Sequence, residues 1–159
     1  MPKVKKSWTE KLNDCKDLPR VEPITERMKQ RWGTGTLVIP APREVDTLMR
    51  SVPYGKLTTI NHIREALARL HGATIGCPIT TGIFAWVAAH AAAEAATGGV
   101  KDITPYWRTL RSDGALNPKY PGGVQGQMAR LKEEGHTIEV YKGNRLPKVK
   151  DYEKKLVKL

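Results

Sequence analysis

The residues best suited to nucleophilic chemistry are the two cysteines, Cys15 and Cys77. Cys77 directly precedes Pro78, where we predict that a helix begins, and the positive end of a helix can activate a thiol. No His or Lys lies close to Cys77 in sequence to act as its partner. We therefore favour Cys77 as a small buried residue in a tight turn, with a relocated nucleophile as the alternative, and interpret Cys15 as incidental.

Metal and cofactor chemistry has little support in the sequence. The four histidines fall on different predicted elements without the spacing of metal ligands, so we expect structural histidines and no metal. They are His62, His71, His90 and His136. No glycine-rich loop of the Walker or dinucleotide type is present, although Gly122-Gly123 before a predicted helix could hold a phosphate on backbone N–H groups. We expect no cofactor.

Two adjacent aromatic residues, Tyr106 and Trp107, suit contact with a nucleobase. They could line a pocket on which an unstacked base rests, each stack contributing about 1–3 kcal/mol. Alternatively, they are core aromatics that fill a closed pocket. The sequence leaves both interpretations open, and the position of the two side chains in the fold decides between them.

The net charge of +11 and the pI near 9.8 favour a polyanionic partner. The excess lies at the two ends: residues 1–50 carry 11 basic and 7 acidic side chains, residues 51–141 carry 9 and 7, and residues 142–159 carry 7 and 2. Such ends can contact phosphates with an affinity that falls as salt rises, or they can be solubilising tails. We expect nucleic acid, and expect deletion of either end to reduce the salt dependence.

The composition predicts one ordinary soluble domain. The chain has 159 residues, 40% of them hydrophobic and 27% charged, which is close to globular averages and sufficient for one core. The longest apolar stretch, residues 85–93, is broken by His90 and is too short to span a membrane. The basic N-terminus lacks the apolar segment of a signal peptide. We therefore predict a cytoplasmic protein with no membrane partner.

Hydrophobic periodicity and capping residues predict the elements that position these side chains. The predicted order is a strand at residues 36–39, helices at 42–52, 60–70, 78–96 and 124–134, and a last strand at 138–141. Thr58 or Thr59 can cap the second helix, and the third is rich in alanine, which suits close helix packing or, alternatively, a DNA groove. The segment 107–116 is predicted to form a hairpin or wing about a turn at 111–114.

The elements divide the chain into three predicted parts. Residues 1–39 read as a basic, loosely packed and partly helical arm, residues 40–141 as the folded domain, and residues 142–159 as a basic tail. The helices at 60–70 and 78–96 are joined by a short turn, which fits a helix-turn-helix.

Three segments, in this order, carry a resemblance to a known family. They are VPYGKLTT at residues 52–59, PYWR at 105–108, and RSDG at 111–114 continuing through YPGG at 120–123 to EEGH at 133–136. Together they resemble the DNA-binding domain of alkylguanine-DNA alkyltransferases and the shorter alkyltransferase-like proteins. The match covers roughly residues 40–138. It implies an α/β, mostly helical winged helix-turn-helix domain with a small β wing.

In that family the helix-turn-helix enters the minor groove, the damaged nucleotide is flipped out, and the Cys of a Pro-Cys-His-Arg motif accepts the alkyl group. Here Tyr106 stands at the Cys position and Trp107 at the His position, which leaves Glu134 as the match to the family's acidic residue. A phenol with an ordinary pKa near 10 is a poor acceptor at neutral pH. The family's Tyr aligns with Ile60, and its Arg falls near Pro78 or Ile79, where no Arg stands.

The resemblance therefore implies a non-enzymatic, DNA-binding alkyltransferase-like protein that recognises alkylated bases in DNA repair, with duplex DNA and repair proteins as partners. The alternatives are an alkyltransferase that uses a non-standard acceptor such as Cys77, and a protein-interaction module that kept the fold. The residues predicted to contact DNA are Thr58, Thr59, Thr80, Thr81, Arg108, Arg111, Lys119, Tyr120, Gly122 and Gly123. Tyr106, Trp107 and Glu134 are predicted to mark the pocket at the family's acceptor position.

Overall fold

Helices and short strands alternate along residues 6–159, the part of the chain that the computed structural model describes. The helices are α1 (Trp8–Asn13), α2 (Glu26–Trp32), α3 (Pro42–Arg50), α4 (Ile60–His71), α5 (Pro78–Thr97) and α6 (Gly123–Glu133). The strands are β1 (Arg20–Pro23), β2 (Thr36–Ile39), β3 (Thr58–Thr59), β4 (Ile75–Gly76), β5 (Thr109–Leu110), β6 (Ile138–Glu139) and β7 (Lys148–Val149). The predicted α/β class, with mainly helices and small sheets, is confirmed.

Local sequence signals explain the two helices that organise the site. Thr59 caps α4, because its Oγ1 accepts a hydrogen bond from the backbone N–H of His62 at 3.3 Å, and Gly72 ends the helix with φ +64°. Pro78 occupies the first turn of α5, as predicted. The alanine face of α5 packs against α1 and α3, with Ala88 and Ala89 fully buried. The small side chains therefore serve close helix packing on that face.

The strands form three small sheets. β2 pairs with β1 antiparallel and with β4 parallel, β3 pairs with β5 parallel, and β6 pairs with β7 antiparallel. The predicted hairpin at 107–116 is wrong in its pairing. The turn at 111–114 forms, with the N–H of Arg111 donating to the oxygen of Ala115 at 2.9 Å, but Leu116 then bonds to Pro147. The segments on the two sides of the turn share only this one hydrogen bond. β5 then pairs with β3, and Leu116 bonds to Pro147.

The two ends of the chain are packed against the centre, contrary to the predicted loose arm. Leu12 of α1 and Ile24, after β1, are buried, and the N–H groups of Trp8 and Thr9 donate to the carboxylate of Glu94 on α5. The first five residues of the arm lie outside the described residues. The N-terminal residues pack in this way because residues 8–39 contain apolar side chains that can be buried. A count of charges does not take these side chains into account.

The C-terminal segment is likewise part of the fold. The N–H of Leu57 donates to the oxygen of Lys155, and the N–H of Val157 donates to the oxygen of Leu57, both at 3.0 Å. Val149 of β7 is buried. The division of the chain at residues 40 and 142 stays a prediction, because packing does not show which part folds by itself. Within residues 6–159, no helix is both long and apolar enough to cross a membrane.

Candidate nucleic-acid interface

Glu134, which follows α6, is the centre of a buried hydrogen-bond network. Its carboxylate accepts from Trp107 Nε1 at 2.6 Å, from Arg108 Nε at 2.9 and 3.0 Å, and from the N–H of Gly55 at 2.9 Å. The side chain of Glu134 is only 4% exposed, and that of Arg108 is 13% exposed. The network ties together α6, the short 3-10 turn Tyr106–Arg108 and the turn at Gly55. Trp107 and Glu134 are two of the three residues that the resemblance assigned to one pocket, and in the structure they form a hydrogen bond.

The protonation state of Glu134 follows from its partners. Burial by itself raises the pKa of this carboxyl, but the hydrogen bonds from Arg108, Trp107 and Gly55 and the charge of Arg108 outweigh it and hold the pKa below its ordinary value. The carboxylate is therefore charged at neutral pH. Its three hydrogen-bond partners, Trp107, Arg108 and Gly55, all donate to it, and none of the three is a base that could take a proton from a nucleophile.

Arg108 has a different position from the one predicted. Besides Glu134, its guanidinium bonds to the backbone oxygen of Val52 through Nη1 at 2.8 Å. With Nε and Nη1 bonded inside the fold and only 13% of the side chain exposed, Arg108 offers little of its guanidinium to a phosphate. The charge pattern alone could not show this, because a buried Arg and a surface Arg look the same in sequence.

Tyr106, at the family's acceptor position, is a core residue. It is 8% exposed and Trp107 is 7% exposed. The ring of Tyr106 meets those of Trp107 and Tyr120 edge-on, with centroids 5.2 and 5.7 Å apart. Burial raises the pKa of the Tyr106 phenol, which makes it a weaker nucleophile still. Their low exposure favours the interpretation as core aromatics, although Trp107 also lines an open pocket of about 530 Å³ together with Arg108 and Arg130.

An open groove lies instead between the exposed face of α5 and residues 111–119. Its volume is about 770 Å³. The residues that line it are Ile79, Gly82, Ile83, Trp86, His90, Arg111, Asn117, Pro118 and Lys119. Tyr106 is absent from this lining. His90 contacts the backbone oxygen of Lys119 through Nε2 at 3.0 Å and stacks on Trp8 with centroids 4.6 Å apart. These contacts join α1, α5 and the loop.

The residues predicted to contact DNA divide into exposed and buried sets. Arg111, Lys119 and Gly122 are exposed, and Gly122 and Gly123 have positive φ at the start of α6. Four others are buried, with 0 to 2% of their surface exposed, and so do not offer their side chains to a duplex. They are Thr58, Thr59, Thr81 and Tyr120. The hydroxyl oxygen of Thr80 is also buried, without a hydrogen-bond partner among residues 6–159.

Two of the buried threonines form hydrogen bonds that stabilise helix ends. Thr81 donates its hydroxyl to the backbone oxygen of Cys77 at 2.7 Å, and Thr59 caps α4. Cys77 itself is 7% exposed and packs with Ile24 and Leu37 in a small second cluster. The predicted buried turn position of Cys77 therefore matches the structure. Cys15 is exposed. In the described part of the chain, no three His, Cys, Asp or Glu side chains come together as metal ligands.

The sequence interpretation missed the apolar face that α5 presents to solvent. Ile79 and Ile83, four residues apart, are 68% and 46% exposed. Residues with this spacing share a helix face, and large aliphatic side chains seldom lie on a solvent-exposed face without function. Their presence beside Gly82, opposite the alanine face, was the available signal.

No family model matches this chain, and neither does any curated protein. Two solved structures are similar to it: S. pombe Atl1 in complex with damaged DNA containing O6-carboxymethylguanine, and S. pombe ATL in complex with DNA. Each is 24% identical, with a TM-score of 0.51 over 74% of this chain and 94% of that chain. The structural likeness agrees with the resemblance carried by residues 52–136, and this chain shares its fold with the alkyltransferase-like protein Atl1.

Proposed function

We propose that this protein binds duplex DNA through the exposed face of α5 and the loop at residues 111–119, receives an alkylated base in the groove between them, and transfers no alkyl group. The observation that carries the proposal is the groove itself. It is open, apolar along α5, bordered by Arg111 and Lys119, and built on a fold shared with a protein whose structure was solved with damaged DNA.

The groove has the composition that base recognition requires. Ile83 and Trp86 supply apolar and aromatic surface, on which a base out of its stack can rest. Arg111 and Lys119 are exposed and have no ion-pair partner among residues 6–159, so their charges are available to phosphates. The N–H groups of Val124 and Gln125 in the first turn of α6 supply further phosphate donors, whereas that of Gly123 already donates to the oxygen of Tyr120 at 2.9 Å.

Ile79 takes a specific part in this proposal. It is the most exposed apolar residue of the first turn of α5, close to the position where the family places its Arg. Apolar side chains can enter between base steps of the minor groove and unstack them. An isoleucine at this point supplies the wedge without a charge, so the loss of the family's Arg does not by itself remove base flipping.

The absence of transfer follows from the acceptor position. Tyr106 is buried and lies outside the groove lining, and Glu134 is committed to three donors. The alternative nucleophile, Cys77, is buried among apolar side chains and does not line the groove either. Nothing in the geometry favours an alkyltransferase. Action in DNA repair, with repair proteins as partners in the cytoplasm, forms part of the same proposal.

A competition experiment combined with intact-protein mass spectrometry tests the proposal. The full chain is titrated with a fluorescent duplex that carries one O6-methylguanine, and unmodified duplex of the same sequence is the competitor. We expect tighter binding of the lesion duplex and an unchanged protein mass after incubation. Equal affinity for both duplexes would show that the protein does not recognise the alkylated base. A mass increase of one methyl group, mapped to Cys77, would show instead that the protein is an alkyltransferase.

A further inference from the structure

A second cavity borders the same exposed isoleucine, Ile79, at the start of α5. It has a volume of about 700 Å³ and lies between α2 and α4, with β4 and the first turn of α5 as further walls. Ser112, the neighbour of Arg111 in the groove, also lines it. The cavity and the groove are therefore adjoining parts of one surface. Helix α2 belongs to the N-terminal residues that precede the segment resembling the alkyltransferase family.

Two guanidinium groups flank one indole ring inside this cavity. The Cζ of Arg64 lies 4.5 Å from the centroid of Trp32, and that of Arg31 lies 5.2 Å from it. Arg64 is held by hydrogen bonds from Nε to the oxygen of Gly76 at 3.1 Å and from Nη1 to Asn61 at 3.0 Å. The close approach of β4 to α4 requires glycine, since a Cβ at Gly76 would lie 2.6 Å from the backbone oxygen of Arg64.

The two positive charges have no partner in the described part of the chain. Neither Arg31 nor Arg64 forms an ion pair there, and Glu65 is the only carboxylate that lines the cavity. Burial lowers the pKa of Arg64, and the charge of Arg31 lowers it further, while Cys77 and Glu65 act in the opposite direction. Arg64 is half-buried and Arg31 is exposed, and a second positive charge near a partly desolvated guanidinium costs free energy. An anion bound beside both groups would offset that cost.

We propose that the α2–α4 cavity binds a phosphodiester of the same DNA that α5 and residues 111–119 contact. Arg31 and Arg64 pair with the phosphate, and the indole of Trp32 fixes the orientation of both guanidinium planes. The exposed Arg31 can offer two parallel N–H donors to two phosphate oxygens, and Arg64, whose Nε and Nη1 are already bonded, adds its Nη2. This inference rests on the proposed function and adds a second DNA contact to it, formed by Arg31, Trp32 and Arg64, which we call the clamp.

The position of the cavity favours the DNA backbone over an unrelated anion. A strand that passes the exposed Ile79 meets the groove through Arg111 and the cavity through Ser112. A free phosphate would gain nothing from this continuity, and its binding is a separate outcome of the test below.

The test compares two single charge losses on α2. Arg31→Gln removes a cavity arginine, and Arg27→Gln removes an exposed arginine of the same helix that does not line the cavity. Both variants of the full chain are titrated with duplex DNA at several salt concentrations. We expect Arg31→Gln to weaken binding about 3- to 10-fold and to lower the salt slope by about one, with less than about a twofold change for Arg27→Gln. Thermal melting confirms that both variants fold.

A further variant and a second ligand distinguish the possible results of this test. Glu65→Gln removes the only carboxylate of the cavity lining and should strengthen DNA binding. Equal losses for Arg31→Gln and Arg27→Gln, or no loss for either, would overturn the clamp while leaving the proposed function intact. A wild-type protein that does not bind DNA would overturn both. Calorimetric titration with inorganic phosphate separates a free anion from the DNA backbone as the ligand of the cavity. If Arg31→Gln abolishes phosphate binding and leaves DNA binding unchanged, the DNA assignment of the cavity is wrong.

Discussion

The Glu134 network, at the acceptor position that the resemblance implies, and the α5 groove, where we propose recognition, have opposite physical character. In the network, one carboxylate accepts from Trp107, Arg108 and Gly55, and all four groups are largely buried. In the groove, Ile79 and Ile83 face solvent, and the charges of Arg111 and Lys119 are unpaired in the described structure. The hydrogen-bonding groups of the network are paired within the fold, whereas these side chains of the groove are free to contact a ligand.

This difference bears on the proposed binding without transfer. A thiol and its base need space, a proton path and access to the substrate. Tyr106 and Trp107 are buried at the acceptor position, and the carboxylate of Glu134 accepts a hydrogen bond from the indole. The proposed recognition surface, on α5 and residues 111–119, includes none of these groups. The predictions below disturb the two regions separately.

The largest expected effect is on the network. Glu134→Ala leaves Arg108 and Trp107 buried without their acceptor, and breaking a buried ion pair from one side costs about 3–5 kcal/mol of unfolding free energy. Glu133→Ala, at the exposed neighbouring position, should change it by less than about 0.5 kcal/mol. Urea denaturation followed by circular dichroism measures both. Similar losses in the two variants would contradict the role given to Glu134.

Acid should remove the same contribution. Because the pKa of Glu134 in the fold is held below its ordinary value of 4.5, the stability it supplies is complete at neutral pH and is lost as the pH falls through the folded-state pKa. The stability difference between wild type and Glu134→Gln should therefore be large at pH 7 and shrink below pH 4.5. A difference that is independent of pH would show that the carboxylate charge is not what stabilises the network.

The groove should respond in affinity and not in stability. The double variant Arg111→Gln/Lys119→Gln removes two phosphate contacts, which should weaken duplex binding about tenfold and lower the salt slope by about two. The matched control, Lys132→Gln/Lys142→Gln, removes the same charge from exposed positions outside the groove. Melting temperatures should be unchanged in both. If the control loses as much affinity, net charge alone accounts for binding.

The smallest effect is expected at a buried hydroxyl beside the acceptor position. Tyr120 is 2% exposed, and its hydroxyl lies near Asn117 but forms no hydrogen bond of good geometry among residues 6–159. Tyr120→Phe should therefore be neutral or stabilise by up to about 1 kcal/mol. Tyr54→Phe provides the contrast, because the hydroxyl of Tyr54 donates to the oxygen of Glu133 at 2.9 Å. A clear destabilisation by Tyr120→Phe would mean that this hydroxyl is satisfied.

Sequence reasoning succeeded where the signal is local and failed where it depends on distant partners. Thr59, Gly72 and Pro78 mark helix ends through their own backbone preferences, so α4 and α5 were predictable. The resemblance grouped Trp107 with Glu134 at one pocket, but it did not predict the hydrogen bond between them. The burial of Arg108, the closure of the C-terminal segment on Leu57 and the packing of α1 on α5 depend on contacts across the chain, which charge counts and periodicity do not contain.

The salt dependence of duplex binding tests the central claim most directly. Fluorescence anisotropy of a labelled duplex, titrated with the full chain at low and at moderate salt, gives the affinity and its slope against salt concentration. The account predicts binding at low salt that weakens steeply as salt rises, because phosphate contacts release counterions. No binding at low salt, or binding with no salt slope, would contradict it.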